Sequence, residues 1–239
     1  MAHKPYYPVV LSILRDIGAS SVLDAACGSG WLGRALEAGN PFVTLDGVDL
    51  HVQPSAISGY RSVTKHNLDV PAPPPAKQYD VVVCCEAIHL LTNPGVALAS
   101  FARSLHPGGT VIITTPNVWY MSSRLQFFLR GFHSGFRPHI GKTVGQDYVT
   151  YLTWTFPQLH QFLTHYGFSD IRLHDVDEPK PKHWIERVLA TPSRLHLGLL
   201  RKRSKYPTER RFWSQALSRQ AMHGRWLVVS ATYGRAGAQ

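Results

Sequence analysis

The chain alternates between short apolar runs and segments whose apolar residues recur at helical spacing. Runs of strand character cover residues 21–23, 42–50, 60–65, 79–86, 110–115, 171–176 and 224–232. Helical spacing covers residues 8–17, 31–37, 96–105 and 156–163, and we expect a further short helix around Ser55. Because strands and helices take turns, the pattern predicts an α/β fold with a doubly wound, mostly parallel sheet and helices on both faces.

The stretch from Val22 to Gly30 reads as a buried strand that ends in a turn of small residues before a helix. Such residues let the backbone turn tightly and approach a ligand. In open α/β sheets, units of this kind form ligand pockets at the carboxyl ends of the strands. Residues 28–33 also fit the dinucleotide fingerprint G-x-G-x-x-G, which is a weak signal by itself.

Asp24 favours a cationic ligand over a dinucleotide at this turn. We expect its carboxylate at the strand end, just below the glycine loop. A pyrophosphate there would cost roughly 4 kcal/mol at ~4 Å and an effective dielectric of about 20. S-adenosylmethionine, which carries a sulfonium and an ammonium, would be attracted instead. The alternative role for Asp24 is a cap on the following turn.

Asp49 closes the second predicted strand, about 19 residues beyond Gly30. An acid at such a strand end can accept hydrogen bonds from both ribose hydroxyls of an adenosine. Nicotinamide dinucleotides and S-adenosylmethionine both contain that ribose, so Asp49 supports adenosine binding without choosing between them.

The stretch Val22-Leu23-Asp24-Ala25-Ala26-Cys27-Gly28-Ser29-Gly30 resembles motif I of the class I S-adenosylmethionine-dependent methyltransferases. The resemblance extends over most of the chain and implies a Rossmann-like sheet of seven strands, the last of them antiparallel at its edge. The family's first glycine is Ala26 here, so we expect a slightly shifted backbone path. The resemblance implies that the cofactor is held by Asp24, Ala26, Cys27, Gly28, Gly30, Asp49, Leu50, Leu68, Asp69, Cys85 and Glu86.

Within that set the resemblance assigns particular contacts. Leu50 would flank the adenine, and Asp69 or Asn67 would face the amino group of the adenine. An Asx turn in this loop explains the presence of Asp69 and Asn67 equally well. Residues 86–91 are similar to the family's Glu-Val-Ile-Glu-His-Leu stretch, with His89 in place of its glutamate and Leu90 in place of its histidine.

His89 and His139 are the candidates for a general base, because imidazole titrates near neutral pH. His139 belongs to a His-Ile segment in the expected acceptor loop. The alternative for each is a polar surface histidine, since the chain has thirteen of them.

A narrower resemblance concerns the methyl acceptor. The Thr115-Pro116-Asn117 turn, a helix with Arg124-Leu125 and the His139-Ile140 segment resemble bacterial methyltransferases of polysaccharide, lipid-linked sugar and, more loosely, quinone-type lipid synthesis. This implies methyl transfer to an oxygen of a small-molecule, sugar or lipid-linked acceptor. Two rivals stay open: a nicotinamide-dependent oxidoreductase, and a binding module that keeps the cofactor but not the chemistry.

The net charge of +10 indicates an acidic partner, such as nucleic acid, an anionic membrane or a phosphorylated substrate, unless it serves solubility alone. Nucleic acid is disfavoured, because Cys85-Glu86-Ala87-Ile88 replaces the Asn/Asp-Pro-Pro-aromatic tetrad of base-modifying relatives. We expect one domain with an N-terminal helix (1–19), a cofactor-binding core (20–117), an acceptor-side cap (118–155) and a basic amphipathic insert (177–223).

The insert combines apolar residues at helical spacing with a basic flank that includes Arg201-Lys202-Arg203. One interpretation is a helix that lies on an anionic membrane surface. A second is a helical pair that covers the sheet edge with its leucines in the core. A third is a grip on a phosphate-rich acceptor.

The three cysteines, Cys27, Cys84 and Cys85, have no C-x-x-C spacing, so we expect neither a zinc site nor a disulfide framework. We see no signal-peptide core and no apolar run long enough to cross a bilayer. These features predict a reduced, cytoplasmic protein, with a peripheral position at the inner membrane surface as the variant that the insert suggests.

Overall fold

The computed structural model describes residues 4–39, 43–51, 57–73, 77–135, 149–150, 152–178 and 184–234, without the side chains of residues 184, 185 and 187. Its strands are β1 (Ser21–Ala25), β2 (Thr44–Asp49), β3 (Ser62–Lys65), β4 (Tyr79–Cys85), β5 (Leu105–Pro116), β6 (Phe168–His174) and β7 (Trp226–Tyr233). Its helices are α1 (Tyr7–Ile17), α2 (Trp31–Gly39), α3 (Pro94–Ser104), α4 (Met121–Arg130), α5 (Phe156–His165), α6 (Trp184–Leu189), α7 (Thr191–Arg203), α8 (Pro207–Ala216) and α9 (Arg219–His223).

The seven strands form one sheet in the order β3-β2-β1-β4-β5-β7-β6. The first five in this order are parallel to one another, and β7 runs antiparallel to both β5 and β6. The predicted α/β fold with a mostly parallel sheet is therefore confirmed. Because β1 and β4 lie side by side and run parallel, the turn after Ala25 and the residues after Cys85 meet at the carboxyl ends of the strands.

The expected edge position of the last strand was wrong. β7 lies between β5 and β6, and β6 forms the edge. The side chains of Leu227, Val228 and Val229 are all fully buried, as a central strand with both faces covered requires. In β6, buried and exposed positions are mixed.

Helices cover both faces of the sheet and close two apolar cores. On one face α1 buries Val10, Ile13 and Leu14 against the parallel strands. Its amphipathic spacing was the basis for predicting it, and Gly18 ends it with a left-handed φ of 66°. On the other face α3 packs against β4 and β5 and α5 packs against β6, with Phe101 and Phe156 among their largest buried side chains.

The start of β5 differs from the prediction. β5 begins at Leu105, directly after α3, although residues 106–109 were expected to form a separate turn. Leu105 pairs with Tyr79 and the register then shifts, so the proline and glycines sit in an irregular strand start. The helix expected around Ser55 and the His139-Ile140 segment lie outside the described residues.

The insert before β7 consists of α6 to α9. Two glutamines tie its later part to the sheet: Gln215 accepts a hydrogen bond from the Leu173 amide at 2.7 Å, and Gln220 accepts one from the Val176 amide at 3.1 Å. The helix α7, in contrast, buries no residue. The interpretation that placed the insert's leucines in the core is therefore wrong for Leu195 and Leu199, which are both more than half exposed.

Within the described ranges we find no helix that combines the length and apolar character needed to cross a membrane. Cys27, Cys84 and Cys85 are free thiols, all of them buried at or near the ends of β1 and β4.

Candidate active site

The loop after β1 turns through backbone conformations that favour glycine. Ala26 has a φ of 72°, and its amide donates a 2.7 Å hydrogen bond to the Val48 carbonyl. Gly28 and Gly30 also have positive φ. A Cβ on Gly30 would lie 2.2 Å from Ile57, whereas no atom lies within 4 Å of a Cβ on Gly28. The loop is therefore packed on one side and open at Gly28, where a ligand can approach the backbone.

Asp24 lies beneath this loop with almost no exposed surface. Its Oδ2 accepts a 2.6 Å hydrogen bond from the Tyr60 hydroxyl, while its Oδ1 is buried without a partner. Burial raises the pKa of Asp24 to about 7; the Tyr60 hydrogen bond opposes this rise, and the charge of Asp49 adds to it. The alternative role as a turn cap finds no support, because its bonded partner is Tyr60. An unpartnered buried carboxylate oxygen is the atom that a cationic ligand would satisfy.

Asp49 stands at the end of β2 with both oxygens already oriented. Its Oδ2 accepts from the Gly28 amide and its Oδ1 from the His51 amide, each at 2.9 Å. Every carboxylate oxygen can accept more than one hydrogen bond, so both remain available to a pair of ribose hydroxyls. The next residue, Leu50, is 42% exposed, which leaves an apolar surface free at the strand end.

The loop after β3 forms the Asx turn that was one of the two interpretations of its sequence. Asn67 accepts a 2.9 Å hydrogen bond from the Asp69 amide through Oδ1, which is an Asx turn. Asp69 accepts a 2.8 Å bond from the Asn93 amide through Oδ1, which fixes the carboxylate at this edge. Leu68 is half-buried and packs against the core.

These residues fit S-adenosylmethionine. The orphaned oxygen of Asp24 suits its ammonium, the open backbone at Gly28 suits its methionine portion, and Asp49 suits its ribose. Leu50 and Asp69 are placed at the strand ends where its adenine would lie.

Glu86 follows β4 in a left-handed conformation, with a φ of 55°. Its amide donates to the Thr114 carbonyl at 3.0 Å and to the Thr114 hydroxyl at 3.1 Å, so the turn is held from the neighbouring strand. Its Oε1 is buried without a hydrogen-bond partner. Burial raises the pKa of Glu86 to about 7, opposed by Lys4 and by hydrogen bonds from Trp226 and Thr114. Burial likewise raises the pKa of the Cys85 thiol well above its usual value.

An aromatic cluster that the sequence patterns did not reveal lies beside Glu86. Tyr7 stacks on Trp31 with ring centroids 3.8 Å apart, and Tyr6 approaches Trp31 at 6.5 Å and Trp226 at 6.4 Å. The charge of Glu86 contributes to the raised pKa of Tyr6, after burial itself. These rings come from both ends of the chain, so no local spacing could have predicted that they meet.

His89 is buried beside β5, with its Nδ1 3.3 Å from the Thr115 hydroxyl. Burial lowers its pKa to about 4, so its imidazole is neutral at physiological pH. A weakly basic imidazole is a poor proton acceptor for an alcohol, although it can orient one by a hydrogen bond. His139, the other predicted base, lies outside the described residues.

The turn beyond β5 is fixed by Asn117. Its Nδ2 donates to the carbonyl oxygens of Ala221 at 2.9 Å and Gly224 at 2.8 Å, and its Oδ1 accepts from the Trp119 amide at 2.9 Å. The segment that leads into α4 is thereby anchored at the carboxyl ends of the parallel strands, where Glu86 also lies.

A family model described as a methyltransferase domain matches residues 9–171, which is most of the chain. A malonyl-[acyl-carrier protein] O-methyltransferase of Halalkalibacterium halodurans is 26% identical over 207 residues, covering 81% of this chain and 71% of that relative. A ubiquinone biosynthesis O-methyltransferase of Pseudomonas savastanoi pv. phaseolicola is 31% identical over 112 residues, covering 42% and 46%. The chain thus spans less than half the length of this second relative.

Among solved structures, an S-adenosylmethionine-dependent methyltransferase from Mesorhizobium loti aligns with a TM-score of 0.52 at 17% identity. The alignment covers 96% of this chain and 98% of that one. At this identity the likeness shows a common fold, which extends over nearly all of both chains.

Proposed function

Because the chain belongs to the class I S-adenosylmethionine-dependent methyltransferases, we propose that it methylates a hydroxyl oxygen and that Glu86 is its general base. The family membership makes the chain an enzyme with S-adenosylmethionine as its cofactor, in place of the nicotinamide-dependent and non-catalytic alternatives. The identity of the acceptor and of the base is our proposal.

One observation carries this proposal: the Glu86 carboxyl is buried at the end of β4, has an unpartnered Oε1 and has a pKa raised to about 7. A hydroxyl acceptor has to lose its proton as its oxygen takes up a methyl group. A general base works best when its pKa lies near the operating pH, and Glu86 meets this condition better than His89 does.

S-adenosylmethionine supplies a methyl group that its sulfonium already activates for displacement. The chain's own residues then have three tasks. Asp24 and Asp49 hold the two ends of the cofactor, so that its orientation is fixed before reaction. Tyr6, Trp31 and Trp226 keep water from the site. Glu86 takes the hydroxyl proton on Oε1 and later returns it to solvent.

The names of the relatives support transfer to oxygen and suggest two acceptor classes. A malonyl group ends in a carboxylate, and the relative that acts on it aligns over more of this chain than the ubiquinone biosynthesis enzyme does. A carboxylate needs no base, however, and would be repelled by the charge of Glu86. We therefore place a hydroxyl-bearing small or lipid-linked acceptor first and a carboxylate acceptor second.

The test compares Glu86→Gln with Glu37→Gln, which removes an exposed carboxyl from α2. Release of S-adenosylhomocysteine is measured with catechol as the hydroxyl probe and malonyl-coenzyme A as the carboxylate probe. We expect turnover of catechol, with Glu86→Gln lowering kcat about 10²- to 10⁴-fold and Glu37→Gln leaving it unchanged. Calorimetry should show that both variants still bind S-adenosylmethionine.

The pH profile gives a second readout. The wild-type kcat/KM for the hydroxyl probe should rise with pH to a plateau, with an apparent pKa of about 7 that Glu86→Gln abolishes. Methylation of malonyl-coenzyme A alone, independent of Glu86, would replace the hydroxyl proposal with the carboxylate one. Loss of hydroxyl turnover in His89→Gln together with normal turnover in Glu86→Gln would move the base to His89.

A further inference from the structure

The helix α4 exposes most of its apolar side chains. Phe128 is 84% exposed and Leu129 is 71% exposed, and Leu125 and Phe127 are each about half exposed. The only buried residue of this helix is Ser123. Single exposed apolar residues are ordinary on protein surfaces, but four within five positions of one helix mark an interaction site.

The helix α7 repeats this arrangement with Leu195 and Leu199 exposed and with a basic C-terminal end. No aspartate or glutamate occurs in residues 117–135 or 187–206. We call the exposed side chains of the two helices the apolar–basic face: Leu125, Phe127, Phe128, Leu129, Leu195 and Leu199 with Arg130, Arg194, Arg201, Lys202 and Arg203.

The two helices form one unit. Arg124 of α4 donates a 2.8 Å hydrogen bond to the Ser193 hydroxyl at the start of α7. Ser122 of α4 donates a hydrogen bond to Glu186 of α6. Glu186 is the only carboxylate in residues 179–206. This single carboxylate stands against the five cations of the apolar–basic face, so the face keeps an excess of positive charge.

We propose that the apolar–basic face binds the surface of a membrane that contains anionic lipid. Exposed phenylalanine and leucine side chains can enter the boundary between headgroups and acyl chains, while arginine and lysine meet lipid phosphates. A protein partner of ordinary composition would leave so many like charges unpaired, whereas an anionic bilayer supplies a matching charge to all of them.

The apolar–basic face lies near the active site, so membrane binding there would bring lipid-linked acceptors to the enzyme. α4 begins four residues after Asn117, whose hydrogen bonds anchor it at the edge of the sheet where Glu86 lies. A membrane at α4 would present lipid-linked molecules next to the site. The binding itself is independent of the acceptor and of the proposed base, and it can be measured without turnover.

The experiment is co-sedimentation of the full chain with two kinds of vesicle, phosphatidylcholine alone and an equal mixture with phosphatidylglycerol, at low and high salt. Two double variants remove one component each: Phe128→Ser with Leu195→Ser, and Lys202→Glu with Arg203→Glu. Their controls are Ile17→Ser, an exposed apolar residue of α1, and Lys65→Glu, an exposed cation of β3 at the opposite edge of the sheet from β6.

We expect wild type and both controls to bind the anionic vesicles, and salt to weaken that binding. Each double variant should lower the partition coefficient about tenfold or more. Absence of binding at low salt, or binding that both double variants retain, would overturn the proposal. So would a dimer in sedimentation velocity that Phe128→Ser with Leu195→Ser converts to monomer, because a second copy would then cover the face. Turnover of a soluble acceptor by these variants reports separately on the chemistry.

Discussion

Ala26 and Glu86, two residues of the candidate site, hold a left-handed backbone without being glycine. Such conformations cost of order 1–3 kcal/mol and are retained where the surroundings fix them. Glu86 is fixed by Thr114, and Ala26 by its bond to the Val48 carbonyl. At Ala26, where the family has glycine, the alanine takes a glycine-like conformation, so the difference from the motif is expressed as backbone strain.

This strain can be tested by substitution. Ala26→Gly should raise the free energy of unfolding by up to about 1 kcal/mol, because relief of the left-handed strain exceeds the added flexibility of the unfolded chain. The same change at Ala25, a buried residue of β1, should instead lower it by about 1 kcal/mol or more. Urea unfolding followed by circular dichroism measures both; a destabilised Ala26→Gly would show that the methyl group's packing outweighs the strain.

At the scale of single residues, the sequence predicted the side chains that sit in a local motif. Asp24 and Asp49 lie at strand ends and Gly28 lies in the turn after β1, as expected, because strand, turn and helix are contiguous in the chain. Tyr60 and Tyr6 were missed because they reach the site from distant segments. The protonation behaviour of the site residues could not be predicted without the fold, because the raised pKa of Asp24 and the lowered pKa of His89 come chiefly from burial.

Among the elements, the end of the sheet opposite the active site is held by one carboxylate. Asp46 of β2 accepts hydrogen bonds from Ser62 of β3 at 2.7 Å and from Tyr79 of β4 at 3.0 Å. It also pairs with Lys77 at 2.8 Å and with Arg61. Burial raises the pKa of Asp46, but these partners outweigh it and lower the pKa to about 2.

The lowered pKa gives Asp46 a defined pH dependence. Its ionised form is favoured by folding, so its contribution is present above its ordinary pKa of 3.8 and is lost as pH falls toward 2. Asp46→Asn should therefore lower the free energy of unfolding by about 1–2 kcal/mol at pH 7. The difference from wild type should shrink between pH 4 and pH 2 in chemical denaturation. Asp16→Asn, at an exposed position on α1, is the control; an equal loss there would contradict the assignment to this cluster.

The sequence predicted which elements exist better than how they are arranged. Strong apolar runs identified the strands, and a proline near the start of α5 marked that helix. The place of β7 was missed because strand pairing depends on distant partners, although the continuous burial of its residues 227–231 is typical of a central strand. The insert was ambiguous for another reason: apolar residues at helical spacing fit both a core-facing and a surface helix.

For the whole molecule, the unusual feature is a pair of buried carboxyls, each with one unpartnered oxygen, in a chain of net charge +10. Asp24 and Glu86 lie at the ends of adjacent strands, and burial raises both pKa values to about 7. The charge of Lys4 opposes the rise at Glu86 but does not relieve either group fully. A cationic cofactor between them would do so, which links the stability of the protein to its ligand.

This linkage predicts the pH dependence of the protein without ligand. Because each carboxyl binds its proton more tightly in the folded state, its own contribution to stability is full near pH 4 and falls as pH rises toward 7, whereas buried His89, with its lowered pKa, contributes in the opposite direction. For Asp24, a rise in pKa from 3.8 to about 7 corresponds to about 4 kcal/mol at most. S-adenosylmethionine favours the ionised carboxylates, so the increase in Tm that it causes should be larger at pH 8 than at pH 6. Differential scanning fluorimetry of wild type, Asp24→Asn and the control Glu37→Gln measures this. The Tm of Asp24→Asn relative to wild type should rise between pH 4 and pH 7, and the ligand effect on this variant at pH 8 should be smaller. A difference between the two Tm values that stays constant over this range would contradict the raised pKa of Asp24.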